Sequence, residues 1–508
     1  METYQITIRI AIEPSTTPTM ATPVEQPDGS FQLTIPAQDA GNIDRCEQAL
    51  LRTVCPALRK AFSTHLSTLS YHKACEQTCE GKVWEDVREY QVDGEVGRFT
   101  FTTHWMDHEG YCVYNTAQTV FPPLHGKEWY KTTGFKEIAM IYGATENSYQ
   151  KTERLINRLR HQEGATPSRT LREGVEHEGL HILDFLERKT DDILRQHDFT
   201  DDGQPTTEHA VYHRDAVVIA EEAVTRAIAA CELSAEEQAE VTRNPVCYEA
   251  PAESVNISLD DVVVKQQKAK RTDAHTDGEE ARKKHPTTRK YVHDTVAHIQ
   301  HGDTSYTVCG RSVVAVLRII IGYLLNNAAL TSRIQFFVDG QKTLQAAIIR
   351  AFLWYTNVGL ILDWYHLEDK CKRQLSLAMT GRTVRNEALH ELTRLLWYGM
   401  VDSAQTYLQH LKSDVLKDQD AVRVLIQYLE RNRPYIPCYD VRQRLGLRNS
   451  SNIGEKMNDL LVSERQKHNG MSWSKSGSVT LAALEMIKRN HEYHTWFETG
   501  ELAFKWAA

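Results

Sequence analysis

The stretch IQFFVDGQKTL, residues 334–344, runs apolar through Val338 and then breaks on Asp339 and Gly340. A short run rich in Ile, Phe and Val, interrupted only by Gln335, reads as a buried strand. A second run, VGLILDWYH (358–366), also ends on an aspartate, Asp363, twenty-four positions further on (363 − 339). Buried strands are rigid mounts, and carboxylates delivered to their ends suit metal ligands.

Working outward, the chain alternates in type after Pro251. Strand-like VNISLDDVVVK (255–265) is followed by YVHDTVAHIQ (291–300) and SYTVCG (305–310), then by a helix over 311–328, a strand at 333–338, a helix over 341–355 and a strand at 358–362. Three strands, a crossover helix and further β units are the order of an RNase H-like sheet. From 366 to about 432 the pattern is helical throughout, and the α/β material resumes at SSNIGEKMNDLL (450–461). The expected fold class is therefore multidomain α+β. An RNase H-like α/β domain (251–365 and 446–508) is interrupted by an all-α insertion (366–445). It is preceded by a helical region (131–250) and an N-terminal region (1–130) of uncertain role. In that N-terminal region QITIRI and SFQLTI alternate like short strands, Cys46 to Ser67 turns helical, and 82–121 alternates around DG and EG turns like an antiparallel β unit.

The totals set bounds. At 508 residues and 41% hydrophobic composition the chain has material for two or three cores. The opening METYQITIRIAIEPSTTP has neither a signal peptide's apolar core nor a transit peptide's Arg-rich character. The longest apolar run, RSVVAVLRIIIGYLLNN, is interrupted by Arg318 and falls short of a bilayer span. No membrane partner is expected. Ten cysteines without a CxxC favour reduced thiols; the nearest approach to a zinc knuckle is Cys75 and Cys79 with Cys112. A net charge of −9 leaves nucleic acid open as a partner, because phosphate binding depends on local basic patches.

Phosphodiester chemistry with magnesium needs hard oxygen ligands, several carboxylates converging on the cations. Asp260 lies on the first strand of the series and Asp339 at the tip of the fourth, and those two strands are neighbours in an RNase H-like sheet. Glu455 opens a later helix behind SSNIG. The alternation of Ile257, Leu259 and Asp261 on one face points weakly to Asp261 in place of Asp260. Each residue also has a purely structural reading: an Asp-Gly after a strand is a turn, and Glu455 is a first-turn acid favoured by the helix dipole.

Taken together, LDD (259–261), FFVDG (336–340), LDWYH (362–366), NIGEKMN (452–458) and GMSWS (470–474) resemble, in order, the successive blocks of bacterial insertion-sequence DDE transposases of the Mutator-like group. The resemblance covers roughly residues 130–490. It implies that Asp260, Asp339 and Glu455 form a catalytic triad holding Mg2+ (or Mn2+). It also implies that Asp363 and His366 support the site without binding metal. The implied activity is cleavage at transposon ends and transfer of the 3′-hydroxyl into target DNA. The implied partners are double-stranded DNA (terminal inverted repeats and target) and further copies of the chain, as a homodimer or larger oligomer, in bacterial cytoplasm at the nucleoid. The chain departs from the family in the Asp261 that follows Asp260 and in lacking a cysteine-rich zinc ribbon. Two rival functions stay open: a nuclease of the same fold that cuts without joining, and a DNA-binding protein that has lost catalysis.

SYQKTERLINRLRHQEGATPSRTLREGVEHEG also resembles the segment preceding that family's catalytic domain. Its own pattern is helix, turn, helix, with Thr166 or Ser168 placed to cap a second helix bearing Arg169, Thr170 and Arg172, where a major-groove reader places its contacts. A helical hairpin used for oligomerisation fits the same pattern. Between the first two strands, VKQQKAKRTDAHTDGEEARKKHPTTRK carries nine Lys/Arg, among them Lys268, Lys270, Arg271, Lys283 and Lys284, against four acids. Such a loop would track phosphates, and a solvated loop is the alternative. In the insertion, the resemblance implies an aromatic that stacks on a base displaced near the cleavage site, and Trp397 in LLWYGM (395–400) is the candidate, with a place in the bundle core as the alternative.

Overall fold

A computed structural model describes residues 42–80, 83–107, 114–117, 130–213, 215, 217–244, 248–251, 254–267, 290–467 and 470–506, together with the backbone of 24–25 and 31–32. The chain divides into two compact units, one of residues 1–175 with 497–500 and one of 176–496 with 501–508. The region drawn from sequence as 131–250 is thus shared between them.

In the first unit a long helix, α1 (Ile43–Cys79), packs on an antiparallel hairpin of β1 (Val83–Gly94) and β2 (Gly97–Asp107). The expected hairpin is present, with Gly94 opposite Gly97 at its tip. α1 continues past the expected end at Ser67 because a polar stripe, not an apolar one, holds its second half. Thr102 N–H donates to Ser67 Oγ at 2.9 Å, and the buried Ser70 hydroxyl bonds Thr116 at 2.6 Å. Among the described residues of 1–45, Val24–Glu25 pairs with Phe31–Gln32, and QITIRI lies outside them. The suggested zinc group is outside as well, because Cys112 and the Cys79 side chain are not described; Cys75 is a free thiol.

α2 (Thr133–Thr145) and α3 (Tyr149–Leu159) follow, and then a turn leads into α4 (Ser168–Gln196). The helix, turn, helix sequence reading is present. Thr166 does not serve as the expected cap: it is buried, its hydroxyl accepts from Arg160, and its N–H donates to Asn157 Oδ1 at 3.0 Å. Arg160 also donates to the buried Asp93 at 2.8 Å, which ties this turn to the hairpin.

The second unit is built on a five-stranded mixed sheet of β3 (Ser254–Lys265), β4 (Tyr291–His301), β5 (Thr304–Gly310), β6 (Arg333–Val338) and β7 (Val358–Leu362). Its order is β7-β6-β3-β4-β5. The first three strands run antiparallel, β6 lies parallel to β3, and β7 lies parallel to β6. β6 is buried from Ile334 to Val338, Gln335 included, as suits a central strand flanked on both edges. The crossover from β5 to β6 is α7 (Val313–Asn326), capped by Ser312 Oγ, and α8 (Lys342–Ala351) joins β6 to β7.

Beyond β7 the chain is helical. α9 (Trp364–Ala378), α10 (Arg382–Trp397), α11 (Val401–Gln409), α12 (Gln419–Asn432) and α13 (Tyr439–Arg444) form the expected insertion. Its core also takes in Ala227 and Val241 from two helices far upstream, α5 (Glu221–Ala229) and α6 (Ala235–Thr242), and Cys231 from the turn between them. After the insertion, α14 (Asn452–Asn458) and α15 (Lys475–Arg489) return to the sheet. Among the described residues, no helix is long and apolar enough to cross a membrane.

Candidate metal centre

β3 and β6 run side by side in parallel, with Phe337 opposite Ser258. Two residues further on, the pleat carries Asp339 and Asp260 together to the same face of the sheet. α14 crosses that face closely. A Cβ on Gly454 would fall 2.3 Å from Ser258 Cβ, so only glycine permits the approach. The next residue, Glu455, then points into the same cleft. Asp260, Asp339, Glu455 and His366 line one cleft of about 240 Å³ including its open mouth, together with Ser451 and Asn458.

Each acid is held by its surroundings. Asp260 Oδ1 accepts from the Asp261 N–H at 2.8 Å and Oδ2 from Asn458 Nδ2 at 2.9 Å. Asp339 Oδ1 accepts from the Gln341 N–H at 2.8 Å, the Asx turn its sequence suggests. Gly340 sits at φ +85°, where a Cβ would collide with the Tyr428 hydroxyl at 2.4 Å. The turn reading and the metal-ligand reading of Asp339 are therefore compatible. Glu455 Oε1 lies 2.7 Å from His366 Nε2.

Asp363 closes the root of the insertion. It is buried, and its Oδ1 caps α9 by accepting from the N–H groups of Tyr365 (2.7 Å) and His366 (3.3 Å). Its Oδ2 takes the Ser451 N–H and, at 2.5 Å, the Ser451 hydroxyl, one residue before α14. One side chain thus joins the strand end, the helix bearing His366 and the segment bearing Glu455.

The electrostatics follow from like charges in a confined space. Burial, then the charges of Glu455 and Asp339, raise the Asp260 carboxyl above its ordinary value. Burial works against a charged His366, yet its bond to Glu455 and the charges of Asp363 and Asp339 carry it up to about 9. The same bond holds Glu455 below the ordinary carboxylate value. An all-oxygen, anionic donor set, with one carboxyl raised by burial and by its charged neighbours, fits a hard divalent cation such as Mg2+ or Mn2+.

Asp261, which the alternation weakly favoured, does not line this cleft: it lies on the opposite face from Ser258 and Asp260, where its carboxylate meets His293 Nδ1 at 2.8 Å. Lys268, Lys270, Arg271, Lys283 and Lys284 fall outside the described residues. Arg169, Thr170 and Arg172 lie in the first unit, at the start of α4. There Glu173 pairs with Arg169 at 2.7 Å and stands 3.9 Å from Arg172. Trp397 is a member of the bundle. Its indole N–H donates to Asp440 at 3.1 Å, and its ring lies 4.8 Å from that of Trp364, edge to face. Those contacts hold the half-buried ring against the bundle core. Three residues at the site escaped the sequence reading: Asn458, Ser451 and Gly454. A signal for the first was present, since Asn458 follows Glu455 by three positions and shares its helix face.

Comparison with protein-family models, curated proteins and solved structures finds no match to this chain.

Proposed function

We propose that the chain is a DNA transposase of the DDE type, with an RNase H-like catalytic domain that uses Mg2+ or Mn2+ held by Asp260, Asp339 and Glu455. The observation that carries the reading is the convergence of these acids, from β3, β6 and α14, on one cleft. The strand order is a second support, because three antiparallel strands followed by two parallel ones on the other side of the first is the topology expected of that fold. When bound, the cations supply Lewis-acid activation of the attacking oxygen and neutralise charge on the leaving one.

The protein's own groups have separable tasks. The three carboxylates fix where cations, and hence the scissile phosphate, can sit. His366 holds Glu455 in one orientation, and Asp363 holds the backbone on which both are mounted. In the first step water attacks phosphorus at the element's end, the bridging 3′ oxygen leaves, and a free 3′-hydroxyl remains. In the second, that hydroxyl attacks a target phosphorus and displaces the target's own 3′ oxygen, which joins the strands. The start of α4, with Arg169, Thr170 and Arg172, would engage terminal inverted repeats, and two copies of the chain would pair two ends.

The test uses DNA flanking this reading frame as substrate, with Mg2+. Asp260→Asn, Asp339→Asn and Glu455→Gln should each abolish strand cleavage while end binding persists, and Asp261→Asn should cut at near wild-type rate. Cleavage retained in any of the first three removes that residue from the centre. Pre-cleaved ends should be joined to a target; cutting without joining would reassign the chain as a nuclease.

A further inference from the structure

We propose that His177, Glu178 and His181 form a second metal site, for a single zinc-class divalent ion. The segment HEGLH (177–181) lies within α4. Residues four apart share a helix face, and the two imidazoles stand with ring centroids 4.1 Å apart. One donor atom from each histidine and one Glu178 oxygen lie within 4.8 Å of one another. With metal–ligand bonds of about 2 Å, three donors this close can be gathered on one ion by small rotamer adjustments. Both histidines are exposed and Glu178 is half-buried, so an ion can enter from solvent.

The site is built on a firm base. Glu178 Oε1 accepts from the indole N–H of Trp496 at 2.8 Å. Trp496 is buried and packs edge to face on Phe185 at 5.6 Å. Behind the cluster, Gly179 presses on α15, where a Cβ would fall 2.4 Å from the Thr480 carbonyl. The carboxylate is thus oriented by an outer hydrogen bond and the helix is fixed by packing, two features that tune metal ligands.

Donor chemistry separates this site from the carboxylate cleft. Two imidazoles and one carboxylate select zinc and its neighbours over magnesium, while the all-oxygen cleft has the opposite preference. In helical hydrolase sites with His-Glu-x-x-His spacing the glutamate stays off the metal and works as a base. Here the indole of Trp496 holds Glu178, and its oxygen lies within ligand range of both histidines, so it is assigned as a third ligand. A fourth position would be left for water or for a donor from another molecule.

The experiment titrates Zn2+ into the full chain in excess Mg2+, by calorimetry, with melting temperature as a second readout. One ion per chain should bind, and Zn2+ should raise the melting temperature. The double variant His177→Ala/His181→Ala should lose affinity by at least about tenfold and lose the thermal shift, and Glu178→Gln should weaken binding less. Asp339→Asn should leave zinc binding unchanged, so this outcome is independent of whether the chain is a transposase. His181→Gln, a milder change at an exposed position, should also lose affinity and guards against misfolding. Zinc uptake that persists in the double variant, or that disappears only with Asp339→Asn, overturns the assignment.

Discussion

Asp260 and Asp261 are adjacent in the chain and face opposite sides of one strand, so a single pleat decides which of them can meet Asp339. The sequence alternation pointed the other way because Val255, Ile257 and Leu259 mark a buried face, and nothing local says which face carries the cleft. Another carboxyl on the neighbouring strand tests how the interior treats charge. Asp294 is fully buried, its Oδ2 bonded to the Ser478 hydroxyl and its Oδ1 without a hydrogen-bond partner. Burial, only partly offset by Ser478, raises it to about 6. Its folded value lies above the ordinary 3.8, so stability contributed by the neutral acid is intact below about pH 4 and lost as pH rises through about 6. Asp294→Asn should therefore match wild type near pH 4 and exceed it by on the order of 2 kcal/mol at pH 7.5, measured by denaturant unfolding. A variant less stable than wild type at pH 7.5 would show that the carboxylate is satisfied when ionised.

At the scale of elements, the cleft depends on how closely α14 approaches β3. Gly454→Ala places a methyl against Ser258, which forces the helix outward and carries Glu455 with it. Cleavage should fall by about a hundredfold with the fold retained, because a displacement of this size costs that much at a reacting centre. Ser258→Gly in the same chain should restore most of the loss. Unchanged cleavage in Gly454→Ala would mean that the contact does not set the position of Glu455. The start of α4 makes a second element-scale case. Glu173 occupies Arg169 and lies close to Arg172, which leaves this supposed DNA-reading face partly neutralised. Glu173→Gln should release the Arg169 guanidinium, remove a negative charge beside Arg172, and tighten binding to the flanking DNA by roughly threefold to tenfold at low salt, with the gain shrinking as salt rises. Weaker binding in that variant would take this helix out of the DNA interface. Both elements were visible in the sequence, α4 from its apolar periodicity and α14 from the capping region around SSNIGE. Their functional details were not, because the close approach at Gly454 and the pairing at Glu173 depend on rotation about the helix axis.

At the scale of the whole molecule, the legible part was the order of strands and the presence of a helical insertion. β6 and β7 are short apolar runs that end on aspartates, and their length and β-branched or aromatic content favour strands over helices. The second half of α1 was not legible, since Ser67 and Ser70 face the hairpin with hydroxyls where a sequence reading looks for apolar side chains. Nor was the membership of α5 and α6 in the insertion's core, because Ala227 and Val241 join the cluster that holds Leu396 and Tyr439 only after the chain has folded back. The site was legible as three acids and a histidine; the Asp363 clasp that mounts them was not, since its partner Ser451 lies beyond the whole insertion. All of this rests on the three carboxylates acting as one receptor for cations. Crystals of the full chain soaked in Mn2+ and measured at the manganese absorption edge test that directly. The expected result is anomalous density between Asp260, Asp339 and Glu455, absent from Asp339→Asn crystals soaked in the same way. A cleft without density under conditions where Mn2+ supports cleavage, or density held elsewhere on the chain, would contradict it.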